Sequence, residues 1–357
     1  MLRLSRRMLQ GDARAFISSN WPGLALSLVV AIVAVWLAPR LPDLLPLPAM
    51  VIALLIGVAL NPLAARPLFE PGMGLAVKRL LRIAVALLGL RIALGDIAAL
   101  GLATALIVIL SMVVTVIAGF AMARAMGQET GYGALAGAAT AVCGASATLA
   151  TATVVPQYKG KEADIAFVVV AVNALSTLAM VLYPVLGAIL GLDERNLGIM
   201  LGATIHDVAQ VVGAGYAISP ETGDTAVIVK LFRVFLLLPV VLVIGWYFAA
   251  RTRASAGGMA GEAAAKVPVP VFAIVFLVLC VINSIALTQP ALAPVYEPVR
   301  SFLVAVSQWG LLIAIAALGL GTSVRAIAAL GWRHALSIVV TTLIILVVAG
   351  GMIALLL

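Results

Sequence analysis

The stretch Gly137–Pro156, GAATAVCGASATLATATVVP, constrains the chain more than any other. It is too apolar for a surface loop, yet too rich in Gly, Ser and Thr for an ordinary spanning helix. Glycine permits a local break, and small side chains let another helix come close. A second unusual stretch, Leu201–Gly215 (LGATIHDVAQVVGAG), sets His206, Asp207 and Gln210 in an otherwise apolar segment. Both read as helices that interrupt themselves inside a membrane, where free backbone groups and a few polar side chains can meet a solute.

Composition supports the membrane. Of the 357 residues 64% are hydrophobic and 10% charged, and mean hydropathy is +1.22. Soluble domains carry about 25% charged residues, so this surface is solvated mainly by lipid. The net charge of +8 does not point to nucleic acid, because Arg and Lys sit mostly at segment ends, where they anchor and orient spans. The two cysteines, Cys143 and Cys280, lie in apolar surroundings and form no metal-ligand spacing or disulfide framework.

The chain is predicted to be an all-α polytopic membrane protein with about 11 transmembrane helices. A basic lead, 1–20, is expected in the cytoplasm, followed by a transmembrane domain, 21–357. The Gly, Ala and charge-rich segment 250–267 reads as a flexible cytoplasmic linker. The predicted spans include a fifth at Tyr132–Val155, a sixth at Ile165–Leu190, a seventh at Leu197–Ile218 and an eighth at Ala226–Ala249. The break after the second span is expected near Asn61-Pro62, since proline lacks the N–H a helix interior needs. With the N-terminus inside, Arg3, Arg6, Arg7, Arg14, Arg124 and Arg251 fall on the cytoplasmic side of a plasma membrane, the bacterial inner membrane. Asp96, Glu221 and Asp224 fall opposite, and Lys159 and Lys161 are the exceptions to the basic bias. LGLRIALGDIAALG at Leu88–Gly101 echoes LGLGTSVRAIAALG at Leu318–Gly331, and a weaker echo relates Leu135–Ala150 to Met200–Gly215. Inverted repeats carrying one broken helix each would produce such echoes; so would Leu/Ala/Gly-rich spans alone.

The candidate solute site is Cys143-Gly144-Ala145-Ser146 with Thr148. At a break, the free N–H groups of a half-helix start bind anions, and hydroxyls add donors. The competing reading is tight packing, with hydroxyls bonded back to the helix. His206 and Gln210, four apart, are expected on one helical face, with Asp207 turned about 100 degrees away. His206 or Asp207 could take a proton during transport, or Asp207 could hold His206 as a cation; the competing reading is an interhelical clamp. Asn173, in the sixth span, either lines the route or joins helices, as does Gln308. Arg91, Lys230 and Arg233 either attract anions or anchor span ends at the interface.

No GxxxxGK[ST], HExxH or GxSxG motif occurs, and neither a cofactor nor an enzymatic activity is expected. A passive channel would use the same polar path.

CGASATLATATVVP at Cys143–Pro156, ATIHDVAQVVGAGYAI at Ala203–Ile218 and VIVKLFRVFLLLPV at Val227–Val240 resemble the YeiH-like (UPF0324) family of membrane proteins. LLRIAVALLGLRIAL at Leu80–Leu94 and ALGLGTSVRAI at Ala317–Ile327 extend the match. The resemblance implies a place in the cation:proton antiporter and anion transporter superfamily, with inverted repeats and two crossing discontinuous helices. It maps a CGAS-like stretch onto Cys143–Ser146 and a His-acid-x-x-Gln stretch onto His206, Asp207 and Gln210. Many relatives carry glutamate at the position of Asp207. The family name suggests sulfate or a sulfonate, and family analogy implies a homodimer. The resulting expectation is a secondary transporter exporting a small anion, coupled to H+. The alternatives are a Na+- or H+-coupled transporter of another solute and a passive anion channel.

Overall fold

The computed structural model describes residues 2–40, 49–256, 271–289, 293–322 and 332–357. Every regular element among them is helical. In chain order these are α1 (Leu2–Leu37), α2 (Ala49–Ala59), α3 (Asn61–Ala64), α4 (Glu70–Leu75), α5 (Leu81–Leu87) and α6 (Leu94–Ala99). Then come α7 (Gly101–Ala125), α8 (Thr130–Ala141), α9 (Ala145–Ala152), α10 (Lys161–Ile189), α11 (Glu194–Thr204) and α12 (Val208–Tyr216). The series closes with α13 (Pro220–Phe235), α14 (Leu237–Ala256), α15 (Val271–Leu287), α16 (Ala293–Gly321) and α17 (Trp332–Leu356).

Among the described residues six segments are long and apolar enough to cross a membrane: Ser18–Arg40, Gly101–Ala125, Lys161–Ile189, Pro220–Arg251, Ala293–Gly321 and Trp332–Leu356. Large apolar side chains such as Leu102, Ile189, Val243 and Trp246 point outward, as lipid solvation requires. The protein is therefore an all-α, multi-pass membrane protein with discontinuous helices. The second expected span ends at α2, and Pro62 sits in the first turn of α3, where its missing N–H costs nothing.

The chain forms two compact units. The first comprises Met1–Ala93 and Ile274–Val324. Its core joins Val30 and Ala34 of α1, Ile52 and Ala53 of α2, Met73 of α4, and Leu312, Ala316 and Leu320 of α16. Backbones nearly touch here: a Cβ on Gly319 would lie 2.4 Å from the Leu54 carbonyl oxygen. After α5 the helix tightens and unwinds, and its freed carbonyls are held by side chains. Arg300 Nε donates to the Leu90 oxygen at 2.9 Å, and Asn283 Nδ2 to the Ile92 oxygen at 3.2 Å.

The second unit comprises Leu94–Ala273 and Arg325–Leu357. In it α8 packs against α7, α10 and α17, while α11 and α12 pack on α13. Small residues set these distances. A Cβ on Gly119 of α7 would lie 2.4 Å from Gly137 Cα of α8, and one on Gly202 of α11 would lie 2.5 Å from the Ala226 oxygen of α13. Gly198 and Gly202, four apart, thus form a smooth face along which α13 closes on α11.

The 1–20 lead is helical from Leu2, continuous with the first span. Residues 250–256 of the expected 250–267 linker complete α14; the rest of that segment lies outside the described residues, as does 323–331 of the Leu318–Gly331 echo.

Candidate functional site

The fifth expected span is two half-helices. α8 stops at Ala141, Val142 turns aside at φ −114°, ψ −85°, and Gly144 caps α9 at φ +60°, ψ −122°. Only glycine takes that conformation without strain. The seventh is interrupted as well. α11 ends at Thr204, the chain is extended through Ile205 and Asp207, and α12 starts at Val208 with Asp207 Oδ1 accepting from the Ala209 N–H at 3.1 Å. His206 therefore sits inside the break and shares no helical face with Gln210. That expectation is corrected: Asp207 favours an N-cap over a helix interior, and its cap interrupts the helix on which the spacing would have aligned the two.

The two breaks meet. The His206 oxygen lies 4.0 Å from where a Gly144 Cβ would be, and His206 Nδ1 donates to the Thr140 oxygen at 3.2 Å. A carbonyl only accepts, so Nδ1 carries the hydrogen. A neutral ring then takes the Thr342 hydroxyl of α17 at Nε2, 2.9 Å away.

Each half-helix ending here leaves C-terminal carbonyls without backbone partners. Lys230 and Arg233, three residues apart on one face of α13, supply the donors. Lys230 Nζ donates to the Val142 oxygen at 2.7 Å, the Ile205 oxygen at 2.9 Å and the His206 oxygen. Arg233 Nε and Nη2 reach the Ala141 oxygen at 3.0 and 2.7 Å, and Nη2 the Thr140 oxygen at 2.9 Å. Arg233 Nη1 donates to the Gly202 and Ile205 oxygens, both at 3.0 Å. Both side chains are 0% exposed. Neither anchors an interface nor lines an open vestibule, the two roles expected for them: α13 begins at Pro220, which puts both cations well inside a span rather than at its start. Their location carries its own logic, because cations at helix C-termini oppose the negative end of the dipole.

The remaining candidates divide. Ser146 is exposed and Ala145 half-buried at the start of α9, whereas Cys143 is a buried free thiol. Thr148 is buried and returns its hydroxyl to the Gly144 oxygen at 3.0 Å, so it pins the break and is no open donor. Asn173 Oδ1 on α10 accepts from Gln210 Nε2 at 3.2 Å, and Ser176 Oγ of the same helix accepts from the Asp207 N–H at 3.0 Å. Asp207 is half-buried. Arg91 belongs to the first unit, at the end of its 3-10 turn, and Gln308 lies on α16 of that unit; neither is among the groups gathered around the breaks. Sequence reasoning missed the capping role of Lys230 and Arg233, although two cations three apart within IVKLFRVF are a costly, visible signal for a buried function.

Two interrupted helices meeting at buried cations, within an all-α multi-pass scaffold, define a membrane protein with a polar centre enclosed by its own half-helices. The chain belongs to the family described as conserved hypothetical protein 698, whose model matches residues 22–338. It is 44% identical over 314 residues to the UPF0324 membrane protein TauZ of Paracoccus pantotrophus, covering 87% of this chain and 88% of that one. TauZ of Paracoccus denitrificans is 42% identical over 316 residues, 88% of both chains. The UPF0324 membrane protein CT0845 of Chlorobaculum tepidum is 40% identical over 334 residues, 93% of this chain and 88% of its own. The UPF0324 membership expected from the motifs is thus shown. No solved structure matches the chain.

Proposed function

We propose that the protein is a secondary transporter that exports a small anion, sulfate or a sulfonate, across the bacterial inner membrane. The observation that carries this reading is the pair of fully buried cations, Lys230 and Arg233. Around the breaks the two half-helix C-termini contribute about −0.5 each and the two N-termini about +0.5 each, so the dipoles cancel. Formal side-chain charges then decide the balance: two cations against one carboxylate, Asp207, leave about +1. An anion at the start of α9 offsets that excess, with Ala145 and Ser146 N–H groups and the Ser146 hydroxyl as donors. Because the cations are held by carbonyls, they act on the anion through the field and not by direct contact.

His206 and Asp207 are the groups through which occupancy would couple to an ion gradient. His206 ties the end of α8 to α17, so a change in its protonation would alter a contact between these helices. In this reading the two shorter apolar helices, the broken pairs and the α4–α5 stretch also cross with their flanks, giving the expected eleven spans with the N-terminus in the cytoplasm. The broken helices are the repeat-related pair of a cation:proton antiporter and anion transporter fold, in a homodimer.

The test is flux from proteoliposomes loaded in turn with sulfate, sulfite, thiosulfate and small sulfonates, with pH and sodium gradients varied one at a time. Saturable, selective flux that depends on a gradient supports the reading. Flux that persists unchanged without any coupling gradient would make the protein a channel. No flux of any anion, from protein shown to be folded and inserted, removes the anion.

A further inference from the structure

Three cations of the first unit sit at membrane depth on an exposed face. α4 and α5 are joined by one wide π-turn, Ala76–Leu80, so the backbone is helical from Glu70 to Leu87. One face of this stretch is packed. Met73 and Ala76 lie in the core with α1 and α16, and Ala84 and Val85 are buried. The opposite face holds Lys78, Arg79 and Arg82, all exposed; positions three and four apart share a helical face. Contacts inside the unit fix their depth. Gly72 packs on Asn20 and Gly23, at the start of the first apolar segment. At the other end Arg300 Nε donates to the Leu90 oxygen. Between them Ser307 Oγ, at the centre of α16, donates to the Ala84 oxygen at 2.6 Å. At about 1.5 Å per residue, Lys78 lies about 9 Å beyond Gly72 and Arg82 about 15 Å, the middle of a core about 30 Å thick.

Among the described residues none of the three makes a hydrogen bond or an ion pair. That sets them apart from Lys230 and Arg233, whose donors are taken by carbonyls. Like charges three and four residues apart repel, and a cation at hydrocarbon depth persists where it meets a partner or a water-filled cavity. Snorkelling serves residues near helix ends; Arg82 is equally far from both surfaces. The face therefore borders water, and its counter-charge is a mobile anion, because no acid stands beside it. Glu297 is engaged with Arg300, and Glu70 lies about two turns before Lys78. Two guanidinium forks next to an ammonium match the oxygens of a sulfate or sulfonate group. We propose that Lys78, Arg79 and Arg82 line a water-filled route from the membrane surface at Glu70 to mid-depth, along which the transported oxyanion passes. The inference rests on the transport reading and adds to it the residues that attract the solute. Anionic lipid headgroups share this chemistry, but they stay at the surface and do not meet Arg82.

The test reads access separately from flux. In a Cys143→Ser, Cys280→Ser background, Arg82→Cys is reacted in proteoliposomes with an anionic and a cationic methanethiosulfonate, with Arg79→Cys as the second reporter. The remaining cations should make the anionic reagent react about tenfold faster at low salt. That preference should shrink as ionic strength rises, and sulfate should slow the reaction saturably. A thiol that neither reagent reaches, at both positions and in protein with the parent's unfolding midpoint, overturns the proposal by placing the face against lipid or a second copy of the chain. Equal rates for the two reagents overturn it as well. So does a rate that falls when phosphatidylglycerol replaces phosphatidylcholine but ignores sulfate, which assigns the face to lipid headgroups. In the flux assay Arg82→Gln should raise the KM for sulfate severalfold with kcat nearly unchanged, and Arg82→Lys should restore it; a merely structural arginine would lower the midpoint instead. Sulfate flux with a KM unmoved by Arg79→Gln and Arg82→Gln removes the route and keeps the transport reading. Anion-selective access without flux of any tested anion keeps the cationic face and removes the transport reading.

Discussion

Replacing Lys230 with Met keeps the length of the side chain and removes its charge and donors. Three carbonyls lose a partner, but the Ile205 oxygen keeps Arg233 Nη1 at 3.0 Å. Two, those of Val142 and His206, are left without the Lys230 donor. An orphaned buried carbonyl costs about 1–3 kcal/mol, so the gross loss is about 2–6 kcal/mol. Deleting the ammonium also relieves the desolvation of a buried charge, which pulls the net toward the lower end, about 2–3 kcal/mol. For a unit of about 200 residues each kcal/mol moves the midpoint by about 2–4 °C, which gives a fall of about 4–12 °C. The assay is thermal unfolding in detergent followed by a thiol-reactive dye. Both cysteines are buried in the folded protein, and a Cys280→Ser background leaves Cys143 to report on the second unit alone. Lys78→Met, at an exposed lysine of the first unit, is the control and should leave the midpoint in place. A Lys230→Met midpoint equal to the wild type would refute the claim that this lysine holds the broken helix ends together.

Three further substitutions probe the same centre. Gly144→Ala should cost about 1–3 kcal/mol from backbone strain alone at φ +60°, because the added Cβ meets Val172 at an ordinary 3.6 Å; the same thermal assay reads it. Gly202→Ala drives a Cβ to 2.5 Å from the Ala226 oxygen, so α13 must move away. We expect about 1–3 kcal/mol of destabilisation and reduced flux from folded protein as Lys230 and Arg233 shift with it. Thr342→Val removes the hydroxyl at His206 Nε2 with little change in shape. It should cost about 1–3 kcal/mol, with no added cost when combined with His206→Ala, since the two groups serve one contact.

The places where the chain interrupts itself were legible because their causes are local. Gly144 is needed for a positive φ, and the small residues of Gly137–Pro156 advertise close packing; the cap at Asp207 that sets the second break emerged only in the structure. What holds the breaks together was not legible, because it is long-range in sequence. Arg233 meets the carbonyls of Thr140 and Ala141 some ninety residues earlier, and nothing in the periodicity of α13 names those partners. The spacing of His206 and Gln210 misled for a related reason: four residues align side chains only where the helix is continuous.

The most direct test of an anion at the start of α9 is protection of Ser146. In a Cys143→Ser, Cys280→Ser background, Ser146→Cys places one thiol at the exposed first turn of that half-helix. Its rate of modification by a small charged methanethiosulfonate is then followed in proteoliposomes. The account predicts that sulfate slows the reaction saturably, while chloride at matched ionic strength does not. Equal rates with and without sulfate, in protein whose unfolding midpoint matches the parent, would contradict it.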